Sequence, residues 1–392
     1  MTGIPSRISD LTPGFFEGAL RAAAALEGAR VQDASCRPIV EGRGFVGETL
    51  RCSITYQRMG SGAEPPSSLI VKMPAGDPAN RRLFGQFDLY RREVGFYRDL
   101  QASTPIPTPA CYGSWYDPDS GDFLLLLEDL SPVQPADRIE GLPLPQAEQA
   151  VGAAARMHAH WWLDQALTSL DWLPTPTTQH LEVPLPALYR KLWPAFEKRA
   201  GANFPRSVRE LGRHLKASLP QVMDRLASPP WTLVHGDYQA GNIFYFPESV
   251  AGVIDWQVVM RGRGAADIAH LLVRSLSPDD RRRWEPELLE HYHRRLRDAG
   301  VEDYGLDECR LDYQLALICE FGLGLVLESM LPVGGEPATS EQTGGETDLH
   351  SLARVGSMRF FAALVDLDWP AALAGMHSRP RRASVRRILG GR

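Results

Sequence analysis

Residues 232–257 read TLVHGDYQAGNIFYFPESVAGVIDWQ. An apolar run from Thr232 to His235 delivers Gly236-Asp237 into a loop, and Asn242 follows five residues after the aspartate. Two short apolar stretches, 243–246 and 250–254, then read as a hairpin that carries Asp255 back to the same end. Taken singly, each aspartate is an ordinary turn residue and Asn242 a loop cap. Taken together, two carboxylates and an amide at one end of a hairpin are what phosphoryl transfer from ATP requires. One carboxylate orients the acceptor hydroxyl, and the amide and second carboxylate hold Mg²⁺ against the phosphates, since positioning and charge neutralisation do most of the catalysis. Asp237 is therefore the candidate catalytic residue, and Asn242 and Asp255 are the candidate metal ligands.

Working outward, the N-terminal third reads as strands around one helix. Segments 32–40, 50–57 and 67–73 have strand character, and the first two bracket Gly42-Arg43-Gly44-Phe45-Val46-Gly47-Glu48-Thr49. Gly42, Gly44 and Gly47 allow backbone N–H groups to approach phosphate oxygens without a Cβ in the way. The same spacing marks dinucleotide-binding turns, but those open a helix, whereas strand-like Arg51-Cys52-Ser53-Ile54-Thr55-Tyr56 follows here. Lys72 ends the apolar run Leu69-Ile70-Val71, and a helical segment, 84–100, offers Glu93 or Asp88 as its partner. A leucine run, 123–127, reads as a buried strand that stops at Glu128-Asp129-Leu130. From residue 131 onward the pattern is helical, with candidates at 144–162, 183–200, 206–226, 281–299, 307–331 and 348–367.

His235-Gly236-Asp237, four residues, Asn242 and then Ile254-Asp255-Trp256 resemble the signature of the aminoglycoside phosphotransferase and choline kinase superfamily. Gln257, Glu128-Asp129-Leu130 and Met157-His158-Ala159 resemble its ecdysteroid-kinase-like branch, and the likeness runs over residues 40–275. The resemblance implies an α+β, bilobal, protein-kinase-like fold with an antiparallel N-lobe sheet plus helix and a larger, mainly helical C-lobe. It implies an N-lobe over 1–127, a hinge over 128–134, a C-lobe over 135–376 and a basic tail over 377–392. It implies ATP and Mg²⁺ as cofactors, Lys72 on the phosphates with Glu93 holding it, and the Glu128 carbonyl and Leu130 amide as adenine contacts. Glu93 followed by Gly95-Phe96-Tyr97 matches the family's pattern. His235 is expected to position the catalytic loop, and Asp267, in Gly264-Ala265-Ala266-Asp267, resembles the family's buried aspartate that hydrogen-bonds it. From the residues alone, Asp267 reads equally as an acid favoured by a helix N-terminus.

Composition sets limits on partners. With 392 residues and 44% hydrophobic ones the chain can fill two lobes, and a net charge of −6 argues against nucleic acid as its main partner. Asp10, Glu17 and Arg21 interrupt any apolar leader, and the most apolar late stretch, 315–331, is short and carries Glu320 and Glu328, so a cytoplasmic protein without a membrane span is expected. Cys36, Cys52, Cys111, Cys309 and Cys319 are odd in number and scattered, which suits reduced thiols. His158 and His160, on different helix faces, read as packing or pocket residues and not as metal ligands. Residues 333–347 read as a solvated loop and 379–387 as a basic tail.

Three rivals remain. Eleven residues between Asp255 and Asp267 leave no room for a protein kinase's activation segment. A nucleotide-binding pseudokinase would not need the lysine, the base and both metal ligands together. An aminoglycoside or other antibiotic phosphotransferase is the main alternative. Against it, segment 160–230 sets nine bases against six acids, where a polycationic acceptor needs surplus carboxylate. Trp161, Trp162, Trp172, Tyr189 and Trp193 in that segment read either as core or as apolar area suited to an apolar ligand. The expected acceptor is a neutral or anionic, largely apolar small-molecule alcohol: steroid-like, polyketide or hydroxyacyl.

Overall fold

The computed structural model describes residues 4–376 apart from 40–46, 61–62, 78–80, 82–83, 132, 134, 179–182, 202–203, 247–248 and 331–348. Gly42 and Gly44, the 333–347 segment and the basic tail thus lie outside the described residues.

Five strands, β1 (Ala29–Pro38), β2 (Gly47–Arg58), β3 (Ser68–Pro74), β4 (Cys111–Tyr116) and β5 (Phe123–Glu128), form an antiparallel sheet in the order β1-β2-β3-β5-β4. Strand alternation divides its side chains between two cores. Leu124 and Leu126 join Leu50, Leu69, Val71 and Met73 under α1 (Pro13–Ala22), whose Phe16 and Leu20 are fully buried. Phe123, Leu125 and Leu127 face the other way, into the larger core that runs on through the C-terminal half. The unbroken apolar run at 123–127 is a strand covered on both faces. On β3 the same alternation turns Ile70 and Lys72 away from α1, toward α2 (Leu89–Gly95).

The helix expected over 84–100 is shorter. Residues 84–85 are helical, 86–88 break into a turn with Asp88 in the left-handed region at φ 54°, α2 follows, and Phe96–Leu100 widens into one π-helical turn. A short polar side chain tolerates that backbone where a branched one would not. The expectation of reduced thiols needs a larger correction: Cys36 and Cys52 form a disulfide. They are direct partners in the β1–β2 register, a proximity that their separation of 16 positions in sequence does not reveal. Cys111, Cys309 and Cys319 are free.

The helical half comprises α3 (Leu144–His160), α4 (Leu185–Ala200), α5 (Arg206–Ala227), α6 (Ala265–Ser275), α7 (Pro278–Asp298), α8 (Leu306–Met330), α9 (Leu349–Asp366) and α10 (Trp369–Gly375). The architecture is therefore α+β, with a small sheet lobe and a large helical lobe. α8 is the central helix, packed by α4, α5, α6, α7 and α10. Leu315, Ala316, Leu317 and Ile318 are buried in succession, so it is apolar round most of its circumference because it is enclosed, not because it meets lipid. Among the described residues no helix is long and apolar enough to cross a membrane.

The two halves meet where Gly95 lies against the indole of Trp172. A Cβ on Gly95 would sit 2.4–2.7 Å from three ring atoms, and the ring is held in place because its Nε1–H donates to Asp99 Oδ2 at 2.7 Å. Alanine would improve helix propensity by about 1 kcal/mol, but overpacking a closed core costs about 1–3 kcal/mol. Gly95→Ala should therefore lower the melting temperature in a calorimetric scan. A raised melting temperature would mean that the indole yields freely.

Candidate active site

Strand β6 (Thr232–Val234) pairs with β9 (Met260–Gly262), and β7 (Ile243–Phe246) with β8 (Ser249–Val253). The second pair is the hairpin expected from sequence. At its open end the Ile254 N–H donates to the Asn242 carbonyl at 3.0 Å, which brings the 242 and 255 side chains to one place.

The loop carrying Asp237 is pinned from below. The buried Asp267 carboxylate accepts from the backbone N–H of His235 and of Gly236, each at 2.8 Å, through different oxygens. His158 Nε2 lies 3.1 Å from Asp267 Oδ2, and His158 Nδ1 lies 2.8 Å from Tyr292 Oη. His158 is thus a buried packing residue that holds the loop's anchor. Ser275 Oγ accepts from the Ala240 N–H at 2.9 Å, and Tyr238 Oη donates to the Ala150 carbonyl at 2.8 Å. Gly236 has φ 85°, and a Cβ there would stand 2.5 Å from the Val258 carbonyl, so only glycine fits this step.

His235 joins the two halves of the site. Its Nδ1 accepts from the Asp237 N–H at 3.2 Å, which leaves the proton on Nε2 to donate to the Ile254 carbonyl at 3.0 Å. Burial holds its pKa below the ordinary histidine value and keeps that neutral tautomer. Asp237 Oδ2 accepts from Asn242 Nδ2 at 2.8 Å, while Oδ1 accepts from Gln239 Nε2 at 2.8 Å and lies 2.9 Å from His270 Nε2. Burial raises the Asp237 pKa, but these partners, His270 foremost, outweigh it and the net direction is down. Asp237 is an anion with a weak proton affinity, better suited to orienting a hydroxyl than to stripping it early.

Across the cleft, Lys72 Nζ lies 2.5 Å from Glu93 Oε1 and 2.8 Å from Asp255 Oδ1. Burial opposes the ammonium, yet the two carboxylates overcome it and raise its pKa, so Lys72 is a fixed cation. Glu93, only 3% exposed, is pushed by burial up to about 6 against the pull of Lys72. Asp255 itself sits in the left-handed region, φ 69° and ψ 60°, a backbone state that costs energy for a residue with a side chain. Its loop is held by α2. Arg92 donates through Nε to the Val259 carbonyl at 3.0 Å and through Nη2 to the Val258 carbonyl. Phe96 stacks on Trp256 with ring centroids 3.7 Å apart.

Asn242 uses Nδ2 on Asp237 Oδ2 and on the Asp237 carbonyl, which turns its Oδ1 away from them. That oxygen and Asp255 are hard donors suited to Mg²⁺. Among the described residues no three His, Cys, Asp or Glu side chains converge to hold a metal unaided. The pair therefore fits a cation that completes its shell with phosphate oxygens and water.

The remaining candidates are placed less centrally. Gly47 opens β2, and a Cβ there would lie 2.8 Å from the Met73 carbonyl, so its bareness already serves the β2–β3 contact. Glu128 ends β5, and its carboxylate accepts from the Ala110 N–H at 2.9 Å. Asp129 is tied to Arg51 and Ser68. Among the aromatics of 160–230, Trp161, Trp172, Tyr189 and Trp193 are core, and Trp162 is partly buried against Tyr304. The bases of 160–230 are also dispersed. Arg225 sits in a buried cluster with Glu308, Asp312 and Arg263, and Arg213 pairs with Glu197 at the surface.

Sequence reading missed Arg92, Ser275 and, above all, His270 and Glu320. His270 is three residues past Asp267 on α6 and so shares its face, a spacing that could have drawn attention to it. Glu320 comes from α8 and carries no local motif.

A sheet lobe and a helical lobe joined around a lysine–glutamate–aspartate set and an Asp-Asn loop define a kinase-like small-molecule phosphotransferase. The chain belongs to the ecdysteroid kinase-like family, whose model matches residues 41–301, and it is a small-molecule kinase with an alcohol group as acceptor. Choline kinase from Cryptosporidium parvum Iowa II is similar over 93% of this chain and 97% of its own, with a TM-score of 0.54 and 10% identity. Plasmodium vivax ethanolamine kinase is similar over 90% of this chain and 87% of its own, with a TM-score of 0.50 and 11% identity. At such identities the likeness speaks for the fold alone. No curated protein sequence matches the chain.

Proposed function

We propose that the chain transfers the γ-phosphoryl group of ATP, with Mg²⁺, to the hydroxyl of a neutral or anionic, largely apolar small molecule. The observation that carries the ATP chemistry is Lys72 bridging Glu93 and Asp255 across the cleft from Asp237 and Asn242. In this scheme residues 1–127 and 135–376 are the lobes and 128–134 the hinge. The Leu130 N–H has no hydrogen-bond acceptor among the described residues, which suits it to adenine. Lys72, positioned by Glu93, binds the phosphates, and Asn242 Oδ1 with Asp255 holds Mg²⁺, which when bound neutralises phosphate charge. The acceptor oxygen forms a bond to the γ-phosphorus while the bond to the bridging oxygen breaks and its electron pair leaves on ADP. The hydroxyl proton passes to Asp237. A base held at low proton affinity is adequate because such transition states are loose and the proton moves late.

For the acceptor, the supporting observation is local charge. Glu320, which approaches the same histidine as Asp237, is already paired with His270 and Arg274. Among the described residues no surplus carboxylate there recommends a polycation, which would need one to be desolvated without penalty. A panel of hydroxylated compounds, sterols and acyl alcohols beside kanamycin, assayed for ADP release, should place turnover with the apolar alcohols. Kanamycin phosphorylation with kcat/KM at or above about 10⁴ M⁻¹ s⁻¹ would replace the acceptor class by the aminoglycoside one. MgATP binding without ADP release from any compound would replace the enzyme by a pseudokinase.

A further inference from the structure

We propose that His270 is a positioning residue for phosphoryl transfer, locking the Asp237 carboxylate so that Oδ2, and not Oδ1, meets the acceptor hydroxyl. The proposal rests on Asp237 being the hydroxyl-orienting group.

The geometry forms a chain of contacts. Arg274 donates to Glu320 Oε1 through Nε at 2.9 Å and Nη2 at 2.6 Å. Glu320 Oε2 lies 3.3 Å from His270 Nδ1, and His270 Nε2 lies 2.9 Å from Asp237 Oδ1. Each link comes from a packed element. Glu320 stands on the central helix α8, and the Arg274 guanidinium lies 4.8 Å over the Phe360 ring. Arg359 of α9 donates to the Arg274 carbonyl at 3.1 Å.

A carboxylate held only through one oxygen can rotate about its terminal torsion, which is a soft two-fold one. Here Oδ1 meets two partners, His270 and Gln239, whereas among the described residues Oδ2 accepts from Asn242 alone. Oδ1 is full, and the open lone pair is on Oδ2, beside the candidate metal amide. Loss of His270 would leave one donor on each oxygen, Gln239 on Oδ1 and Asn242 on Oδ2, so that Oδ1 gains an open lone pair and competes with Oδ2 for the acceptor hydroxyl. The groups facing His270 are Asp237 from the loop and Glu320 from α8, with Arg274 of its own helix behind Glu320 and Arg359 behind Arg274. Flanked by two carboxylates, the imidazole is kept as a two-donor cation. Burial works against the charge, but Glu320 and Asp237 prevail and raise its pKa to about 9. Burial would raise Glu320, yet His270 and Arg274 pull it down to about 2.

The first test needs no substrate. In ¹⁵N-histidine-labelled full-length protein, the resonances lost in His270→Gln should report a doubly protonated ring at pH 7.5. That ring should lose its proton at lower pH in Asp237→Asn and in Glu320→Gln. A neutral ring at pH 7.5, or a titration indifferent to Asp237→Asn, would overturn the proposal. The second test measures ADP release from MgATP, with water or the best alcohol of the panel as acceptor. His270→Leu should lower kcat by about a hundredfold, the scale of a misplaced reacting group, with KM for MgATP unchanged. His270→Gln, which keeps one donor, should retain more turnover than His270→Leu. Wild-type kcat in His270→Leu would also overturn it. If the wild-type protein releases no ADP, the kinase function fails, while the resonance titration still decides the His270–Asp237 pairing.

Discussion

Asp237→Asn should cut phosphoryl transfer by about 10²- to 10⁴-fold, the range for a positioned acid or base, while MgATP binds as before. The substitution preserves shape and reverses chemistry. Asp237 accepts from three side chains, Gln239, His270 and Asn242. An asparagine amide has one acceptor oxygen, so its NH₂ must face at least one of those donors, and it cannot take a proton. Lys72 hydrogen-bonds Glu93 and Asp255 and not the Asp237 carboxylate, so the nucleotide side should be undisturbed. Single-turnover transfer and a fluorescent-nucleotide titration measure the two halves separately. Wild-type turnover would remove Asp237 from the chemistry, and loss of both binding and turnover would make it a structural residue.

How far the sequence could be read depended on whether a residue's partners were local. Asp237, Asn242 and Asp255 were legible because a single hairpin brings them together, and hairpin spacing shows in apolar runs and turns. The leucine run of β5 was legible because burial on both faces removes alternation. Lys72 and Glu93 needed the family resemblance, since a strand lysine and a helix glutamate twenty-one residues apart are ordinary surface residues until the sheet turns one toward the other.

Where partners come from distant elements, the pattern is silent. Cys36 and Cys52 look unrelated until the β1–β2 register sets them opposite. Arg92 stands beside Glu93 and reads as a surface charge, yet it is 4% exposed and holds two carbonyls of the Asp255 loop. Glu320 was noted only as a charge interrupting an apolar segment, although it supports the histidine that touches Asp237. Within 160–230 the core reading that the sequence left open is the one that holds for Trp161, Trp172, Tyr189 and Trp193, and Arg213 and Arg225 pair with neighbouring carboxylates. The local charge around His270 bears on the acceptor in a way that the segment's net charge does not.

Asp255→Ala should abolish the magnesium-dependent part of ATP affinity. Asp255 does two things in the structure, pairing with Lys72 at 2.8 Å and presenting a second oxygen that, among the described residues, accepts only from Gln257, at 3.2 Å. If its role is to hold the cation against the phosphates, ATP binds the variant equally with and without Mg²⁺, because the remaining ligand, Asn242, is a single neutral oxygen and Mg²⁺ releases its water reluctantly. If its role is only to place Lys72, the substitution weakens ATP binding by the same factor in both conditions, and the magnesium effect survives. Stability separates a third case. Alanine loses the aspartate's hydrogen bonds and tolerates φ 69° less well than a short polar side chain does, so a purely structural Asp255 would show as a lowered melting temperature with unchanged nucleotide binding. Calorimetric ATP titrations with Mg²⁺ and with EDTA, beside a thermal scan, distinguish all three. A magnesium effect equal to that of the wild type would reject Asp255 as a metal ligand and leave the cation to Asn242 and the phosphates.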